Sequence, residues 1–230
     1  MEILIERLEL TYQSSGWKLS VPDLKLLPNC ALSLFGENMS GKSSFLSFLH
    51  GIFSGSSSWD RFIAQNRRFS SYKFFREGIN SGLITQSDPL FESFSVSENL
   101  ELGTNRISLP KSLIPFLGRH CRKTGLPGLP GESPVCELSS GARALVRSHR
   151  TFFNRPDLIL LDEPVSNLDT RRREEFWSDL DEYSSSDERV NSTIILVSHY
   201  EQDHERLREI ARNRNLTHKS LSIVNGVLKR

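Results

Sequence analysis

Residues Gly36-Glu37-Asn38-Met39-Ser40-Gly41-Lys42-Ser43 follow the pattern G-x-x-x-x-G-K-S. Few short patterns constrain a fold so tightly, because this one works only between a strand and a helix. The flanks supply both. Ala31-Leu32-Ser33-Leu34-Phe35 alternates as a strand does, and Ser44 to His50 places apolar residues at helical spacing, with Gly51 as a stop. Backbone N–H groups in such a loop can wrap a polyphosphate, and the helix dipole adds partial positive charge. Gly36 and Gly41 lack a Cβ, so the backbone can turn tightly and approach the phosphates. Lys42 is then expected on the β- and γ-phosphates and the Ser43 hydroxyl on Mg²⁺. Met39 stands where many such loops carry a small residue.

The 230 residues allow one large domain or two small ones, with ample material for a core. Lys plus Arg number 29 against 28 Asp plus Glu, a formal charge of +1. That balance gives no global argument for nucleic acid or an anionic membrane surface. Cys30, Cys121 and Cys136 have no metal-ligand spacing, and so sparse an odd set suggests reduced thiols in a cytosolic protein. No apolar run approaches a membrane span. Met1 to Glu6 lacks the basic and apolar regions of a signal peptide. Neither an internal repeat nor a coiled-coil heptad is visible.

Taken in order, Glu2 to Leu10 alternates as a strand, and Gly16 to Val21 reads as a second, with Trp17, Leu19 and Val21 on one face. Leu24 to Leu27 leads by a short strand and turn into the loop strand. Gly55 to Ser58 is a surface loop. Arg61 to Arg76 is basic with interleaved aromatics. Such a mixture can bind single-stranded nucleic acid, but it reads better as a solvated basic face over packed aromatics. Leu83 to Thr85 is a buried strand ending at Gln86. Ser95 with Glu98 fits a capping box, so a helix is expected from there, continuing to about residue 123 with breaks at Pro110 and Pro115. Gly125 to Gly131 is irregular. Leu138-Ser139-Ser140-Gly141 opens a helix to about Phe153.

Asp157 to Pro164 is a buried strand ending in the two carboxylates Asp162 and Glu163, and its unbroken apolar run suits a parallel sheet covered on both faces. Arg171 to Tyr183 is an amphipathic helix with Phe176, Leu180 and Tyr183 on one stripe. Ser192 to Val197 is another buried strand ending at Ser198-His199. Glu201 to Arg212 is a charged helix, and Ser222 to Leu228 is a hairpin with an Asn-Gly turn. In parallel α/β sheets, ligands sit at the carboxyl ends of strands. Asp162 is therefore expected in the Mg²⁺ shell, Glu163 as general base toward an attacking water, and His199 at the γ-phosphate.

With these motifs in place the whole chain resembles the nucleotide-binding subunit of an ABC transporter. The ordered set is Tyr12 as adenine-stacking aromatic, Gly36 to Ser44 as Walker A, and Gln86 as Q-loop. Leu138 to Ala142 follows as signature, Asp162 and Glu163 as Walker B, Ser166 to Asp169 as D-loop, and His199 as switch histidine. The resemblance implies an α/β fold: a P-loop NTPase core with a mostly parallel sheet, an N-terminal antiparallel β subdomain and an inserted α-helical subdomain. It implies one nucleotide-binding domain over 1–230, with 1–86 and 139–230 as core and 87–138 as the helical part. ATP and Mg²⁺ are the implied cofactors, with the metal at Ser43, Gln86 and Asp162. The implied nucleotide contacts are Tyr12, Gly36, Glu37, Asn38, Met39, Ser40, Gly41, Lys42, Ser43, Ser44 and Gln86, with Ser139, Ser140 and Gly141 reaching across a dimer. Glu163 and His199 are the implied catalytic pair.

Members of that family act as homo- or heterodimers joined to a separate transmembrane subunit, which implies a cytoplasmic location at the inner face of the membrane. Three positions depart from the usual pattern: Ser140 for a glycine, Ala142 for a glutamine, and Met39, which DNA mismatch-repair ATPases also carry. Lys42, Asp162, Glu163 and His199 remain, so hydrolysis is expected to survive. Two other functions compete. One is a soluble ABC-type ATPase acting on nucleic acid or the ribosome, supported only by Arg61 to Arg76. The other is a nucleotide-sensing regulator that does not hydrolyse, which the altered signature allows and the intact Glu163 and His199 oppose.

Overall fold

The computed structural model describes residues 3–5, 8–11, 16–54, 79–85, 90–101, 133–185 and 192–229. Its strands are β1 (Ile3–Ile5), β2 (Leu8–Thr11), β3 (Lys18–Val21), β4 (Leu24–Leu26), β5 (Cys30–Gly36), β6 (Ser81–Ile84), β7 (Leu158–Asp162), β8 (Thr193–Val197), β9 (Thr217–Val224) and β10 (Val227–Lys229). The helices among the described residues are α1 (Lys42–Ser54), α2 (Val96–Glu101), α3 (Ser140–Phe153), α4 (Thr170–Ser185) and α5 (Glu201–Asn213). Eight strands form one sheet in the order β2-β3-β10-β9-β5-β8-β7-β6, while β1 and β4 pair separately. From β9 to β6 every neighbour is parallel. The ladders β2–β3 and β9–β10 are antiparallel. This is the expected class, a mostly parallel P-loop core with antiparallel N-terminal strands.

By internal contacts the chain divides into two units. The first takes Met1–Thr85, Pro156–Pro164 and Asp181–Arg230, and so holds the sheets, α1 and α5. Its core joins Phe45 and Phe48 of α1 to Leu32 and Leu34 of β5, Leu158 and Leu160 of β7, and Ile195 and Val197 of β8. The loop strand β5 is buried from Cys30 to Leu34, so the expected alternation does not mark an exposed face. Ser33, inside it, is satisfied by His218 of β9, at 3.0 Å between Oγ and Nε2. The single strand expected over Glu2 to Leu10 is two strands, β1 pairing with β4 and β2 with β3. Alternation is the same on both, and cannot mark a change of partner. Helix α1 runs on through Gly51 instead of stopping there, since a buried helical glycine costs only about 1 kcal/mol against alanine. The terminal hairpin turns on Asn225 and Gly226, at φ 51° and 72°, as a two-residue turn with both central residues at positive φ requires.

The second unit takes Gln86–Arg155 and Val165–Leu180. The signature stretch from Ser139 and most of α4 thus count with it. Ser95 and Glu98 form the expected capping box: Ser95 N–H donates to Glu98 Oε2 at 2.7 Å, and Glu98 N–H to Ser95 Oγ at 3.2 Å. Val96 and Leu100 then pack with Val135, Leu138, Ala142 and Val146. Asn99, fully buried, organises the loop before α2. Its Oδ1 accepts from Phe91 N–H at 2.9 Å, and its Nδ2 donates to the carbonyls of Phe91 (3.0 Å), Phe94 (3.3 Å) and Ser95 (3.0 Å). The helix expected beyond Glu101 and the loop from Gly125 to Gly131 lie outside the described residues, as do Arg61 to Arg76.

Replacing Asn99 by alanine strands the Phe91 N–H and takes the second donor from three carbonyls, each of which keeps a backbone N–H. Asn99→Ala is expected to cost about 2 kcal/mol of unfolding free energy or more, read from the urea midpoint. An unchanged midpoint would show that this loop contributes nothing to stability.

Candidate functional site

The register of the parallel strands assembles the site. Leu34 of β5 pairs with Val197 of β8, and Val197 pairs in turn with Asp162 of β7. The next residues along the three strands are therefore neighbours: Phe35-Gly36, Ser198-His199 and Glu163. Around them lies an open cleft of about 780 Å³, lined by the loop from Asn38 to Ser44 and by Trp17, Asp162, Glu163, Val197 and His199.

Each wall of the cleft has a structural cause. Gly36 has φ 153°, and a Cβ there would meet the Ile223 carbonyl oxygen and Ser40 Oγ at 2.7 Å. Gly41 has φ 106°, and a Cβ there would overlap the Trp17 ring. Both glycines of the motif are thus demanded by the folded chain itself, apart from any ligand. Met39 sits at φ 61° with its side chain 93% exposed, so the large residue stands off the loop and leaves the backbone cradle open. Lys42 is buried and donates to the Gly36 and Glu37 carbonyls at 2.8 and 2.7 Å. An ammonium has three N–H donors, so one remains for a phosphate. Burial holds Lys42 below the usual lysine range, opposed by the carboxylates of Glu163 and Asp162.

Ser43 Oγ donates to Asp162 Oδ1 at 3.1 Å. Burial pushes the Asp162 carboxyl above its ordinary range, against the Ser43 hydrogen bond and the charges of Lys42 and His199. Glu163 is held at φ 51° by its own N–H, which donates to the Val197 carbonyl at 2.9 Å. A non-glycine residue in that region is strained, and such strain gathers at working sites. Its Oε1 lies 3.4 Å from His199 Nε2. Burial also raises Glu163. His199 opposes this, while the charges of Asp162 and Asp203 add to it.

The loop carrying His199 is pinned from behind. Ser198 Oγ donates to Asp203 Oδ2 at 2.6 Å and accepts from Tyr200 N–H at 3.1 Å. The Ser198 carbonyl can only accept, so His204 Nε2, at 3.1 Å, donates to it. Burial lowers His204, which favours the neutral ring. Asp203 and His204 are fully buried at the start of α5, and sequence reasoning singled out neither. Buried polar residues in a charged helix leave no pattern of their own. Trp17 was also missed as a cleft residue, because its spacing matches an ordinary strand aromatic.

The structure thus brings together Gly36 to Ser44, Asp162, Glu163 and His199 in one unit. Ser139, Ser140 and Gly141 belong to the other unit. Ser139 caps α3, its hydroxyl accepting from Ala142 N–H. Ala142, which stands where a glutamine is usual, is buried among Val135, Leu138 and Val146. Tyr12 and Gln86 lie outside the described residues. Among those described, no group of three His, Cys, Asp or Glu could hold a metal, and no helix is long and apolar enough to cross a membrane. The oxygen pair Ser43 and Asp162 nonetheless suits Mg²⁺, which takes few protein ligands and completes its shell with phosphate and water.

A family model described as ABC transporter matches residues 19–166. The chain is 31% identical over 140 residues to the Nod factor export ATP-binding protein I of Ralstonia nicotianae, covering 57% of this chain and 40% of that protein. It is 32% identical over 123 residues to the taurine import ATP-binding protein TauB of Pelagibacter ubique, covering 53% and 45%. The chain therefore spans less than half the length of these relatives. A solved structure of an inward-facing metal-chelate type ABC transporter superposes with a TM-score of 0.66 at 22% identity, over 99% of this chain and 81% of that one. That likeness shows the fold.

Two raised carboxyl groups side by side imply a cost in the free chain. Their folded-state pKa values exceed those of the unfolded chain, so protonation stabilises the fold and stability falls as pH rises through the raised values. Asp162→Asn, whose Oδ1 can still accept from Ser43, is therefore expected to melt roughly 2 °C higher than wild type at pH 7 without nucleotide or Mg²⁺. The gap should close toward about pH 4 as the wild-type carboxyl takes up its proton. A lower melting point for the variant at pH 7 would contradict this.

Proposed function

This chain belongs to the ABC transporter family, and we propose that it is an ATP-binding and ATP-hydrolysing subunit that powers transport through a separate transmembrane subunit. One observation carries the reading. A phosphate-binding loop, a carboxylate on its Ser43, a second strained carboxylate and His199 line a single cleft.

Each residue then has a task. The N–H groups of Gly36 to Ser44 and the Lys42 ammonium hold the phosphates of ATP. Ser43 and Asp162, with Gln86, would hold Mg²⁺, which neutralises charge on the phosphates when bound. Glu163 accepts a proton from the attacking water. Burial raises its pKa, which makes the carboxylate a stronger base toward that water. His199, beside Glu163, orients it and meets the γ-phosphate end of the nucleotide. Tyr12, with the Trp17 ring at the cleft wall, receives the adenine face. Ser139, Ser140 and Gly141 contact the nucleotide of a second copy, or of a related chain, in a dimer.

A surface on the second unit supports a further partner. Phe91 and Phe94 stack at 5.4 Å between centroids, while 55% and 38% exposed. Asn99 fixes the loop that presents them. A stacked aromatic pair held in solvent by a buried amide suits a docking surface, and we assign it to the transmembrane subunit. The chain then sits at the cytoplasmic face of the membrane through that partner.

Glu163→Gln tests the assignment. Removing the base while keeping shape and contacts is expected to slow Mg²⁺-dependent ATP hydrolysis by about a hundredfold or more. ATP binding should persist, and size-exclusion chromatography in ATP should show a trapped dimer. A turnover equal to wild type would remove Glu163 from the chemistry.

A further inference from the structure

We propose that Arg172 is a positioning residue for this ATPase: it makes the Ser139 hydroxyl a dedicated hydrogen-bond donor toward an anion, the phosphate of the nucleotide bound by a second copy. The inference rests on the reading above and deepens it at one residue.

Arg172 lies in the first turn of α4. Asp169 holds it twice, accepting from the Arg172 backbone N–H at 3.0 Å and from Nη1 at 2.8 Å. From that anchor Nη2 donates to Ser139 Oγ at 2.9 Å. The side chain lies across Gly141, where a Cβ would come within 2.5 Å of Arg172 Cδ and 2.8 Å of Nη1. All four residues belong to one unit. Only a glycine at 141 lets the arginine rest in this position.

Counting the hydroxyl's bonds decides its polarity. A serine hydroxyl has two lone pairs and one hydrogen. The Ala142 N–H donates to Oγ at 3.4 Å and the guanidinium at 2.9 Å. Both lone pairs are therefore occupied by donors from its own chain. The one remaining function is to donate, and Ser139 is exposed to do so. A cation on the oxygen also polarises the O–H and strengthens its bond to an anion. Without Arg172 the hydroxyl can rotate and present a lone pair, which a phosphate repels. Lysine cannot replace the fork, because one ammonium has no planar pair of donors to span Asp169 and Ser139. In a signature where Ala142 faces the core, the Ser139 hydroxyl carries more of the phosphate contact.

The test is a double-mutant cycle on the full chain. Mg²⁺-dependent ATP hydrolysis is measured for wild type, Arg172→Ala, Arg172→Lys, Ser139→Ala and the double variant Arg172→Ala with Ser139→Ala. Binding of a fluorescent ATP analogue to each variant is titrated in parallel. Arg172→Ala is expected to lower kcat about tenfold or more, with analogue affinity unchanged. Arg172→Lys should not restore the rate, and the double variant should be no slower than Ser139→Ala alone. Wild-type turnover in Arg172→Ala, or losses that multiply in the double variant, would overturn the proposal. If the alanine variant melts early, Arg172→Lys carries the test, and full turnover in it overturns the proposal equally. A wild-type chain that neither hydrolyses ATP nor dimerises as Glu163→Gln would instead overturn the ATPase reading, and this proposal with it.

Discussion

The parallel register of β5, β8 and β7 is the constraint on which the site depends. Pairing Leu34 with Val197 and Val197 with Asp162 ends three strands at one level. The phosphate loop, the histidine and the carboxylates leave those ends as adjacent residues, although they are far apart in sequence. A slip of one residue in β7 would turn Asp162 away from Ser43 and put Leu161 or Glu163 in its place, since side chains alternate along a strand. The fully buried runs in β7 and β8 prevent that slip. Core packing and site geometry are thus one requirement, met by the same leucines, isoleucines and valines.

Against that frame the site stores unfavourable energy. A buried ammonium, two carboxyls raised by burial, and Glu163 and Met39 at positive φ all cost stability. The fold contains these costs with local bonds. Lys42 caps two carbonyls of its own loop, Ser43 bonds Asp162, and the Val197 carbonyl fixes Glu163. In the proposed function a phosphate would take the third Lys42 N–H and add charge-assisted bonds to these.

Much of this was legible because each motif has a local physical cause. The phosphate loop, the capping box at Ser95, the buried strand before Asp162 and the Asn-Gly hairpin depend on neighbours within a few residues, and all four are found. What escaped depends on distant contacts. The split of the first strand follows its pairing with β4 and β3, the path of α1 through Gly51 follows burial, and Trp17 matters because it lies against Gly41. Asp203 and His204 look like ordinary residues of a charged helix until the fold places Ser198 beside them.

The departures from the common signature take on a different meaning in three dimensions. Read along the chain, Ser140 and Ala142 look like losses from a phosphate-binding surface. In the fold, Ala142 is part of a hydrophobic core and Ser140 opens α3 in solvent. The polar capacity of this surface is concentrated instead in Ser139, Gly141 and the arginine laid across them. An arginine is suited to that position because its charge persists at any working pH and its planar fork fixes both ends of the contact. If Arg172 positions Ser139 as proposed, such a surface would depend less on the fifth signature residue than on the residue that follows the D-loop by three. Relatives with a small apolar residue at the first position should therefore be compared at the second before their activity is judged.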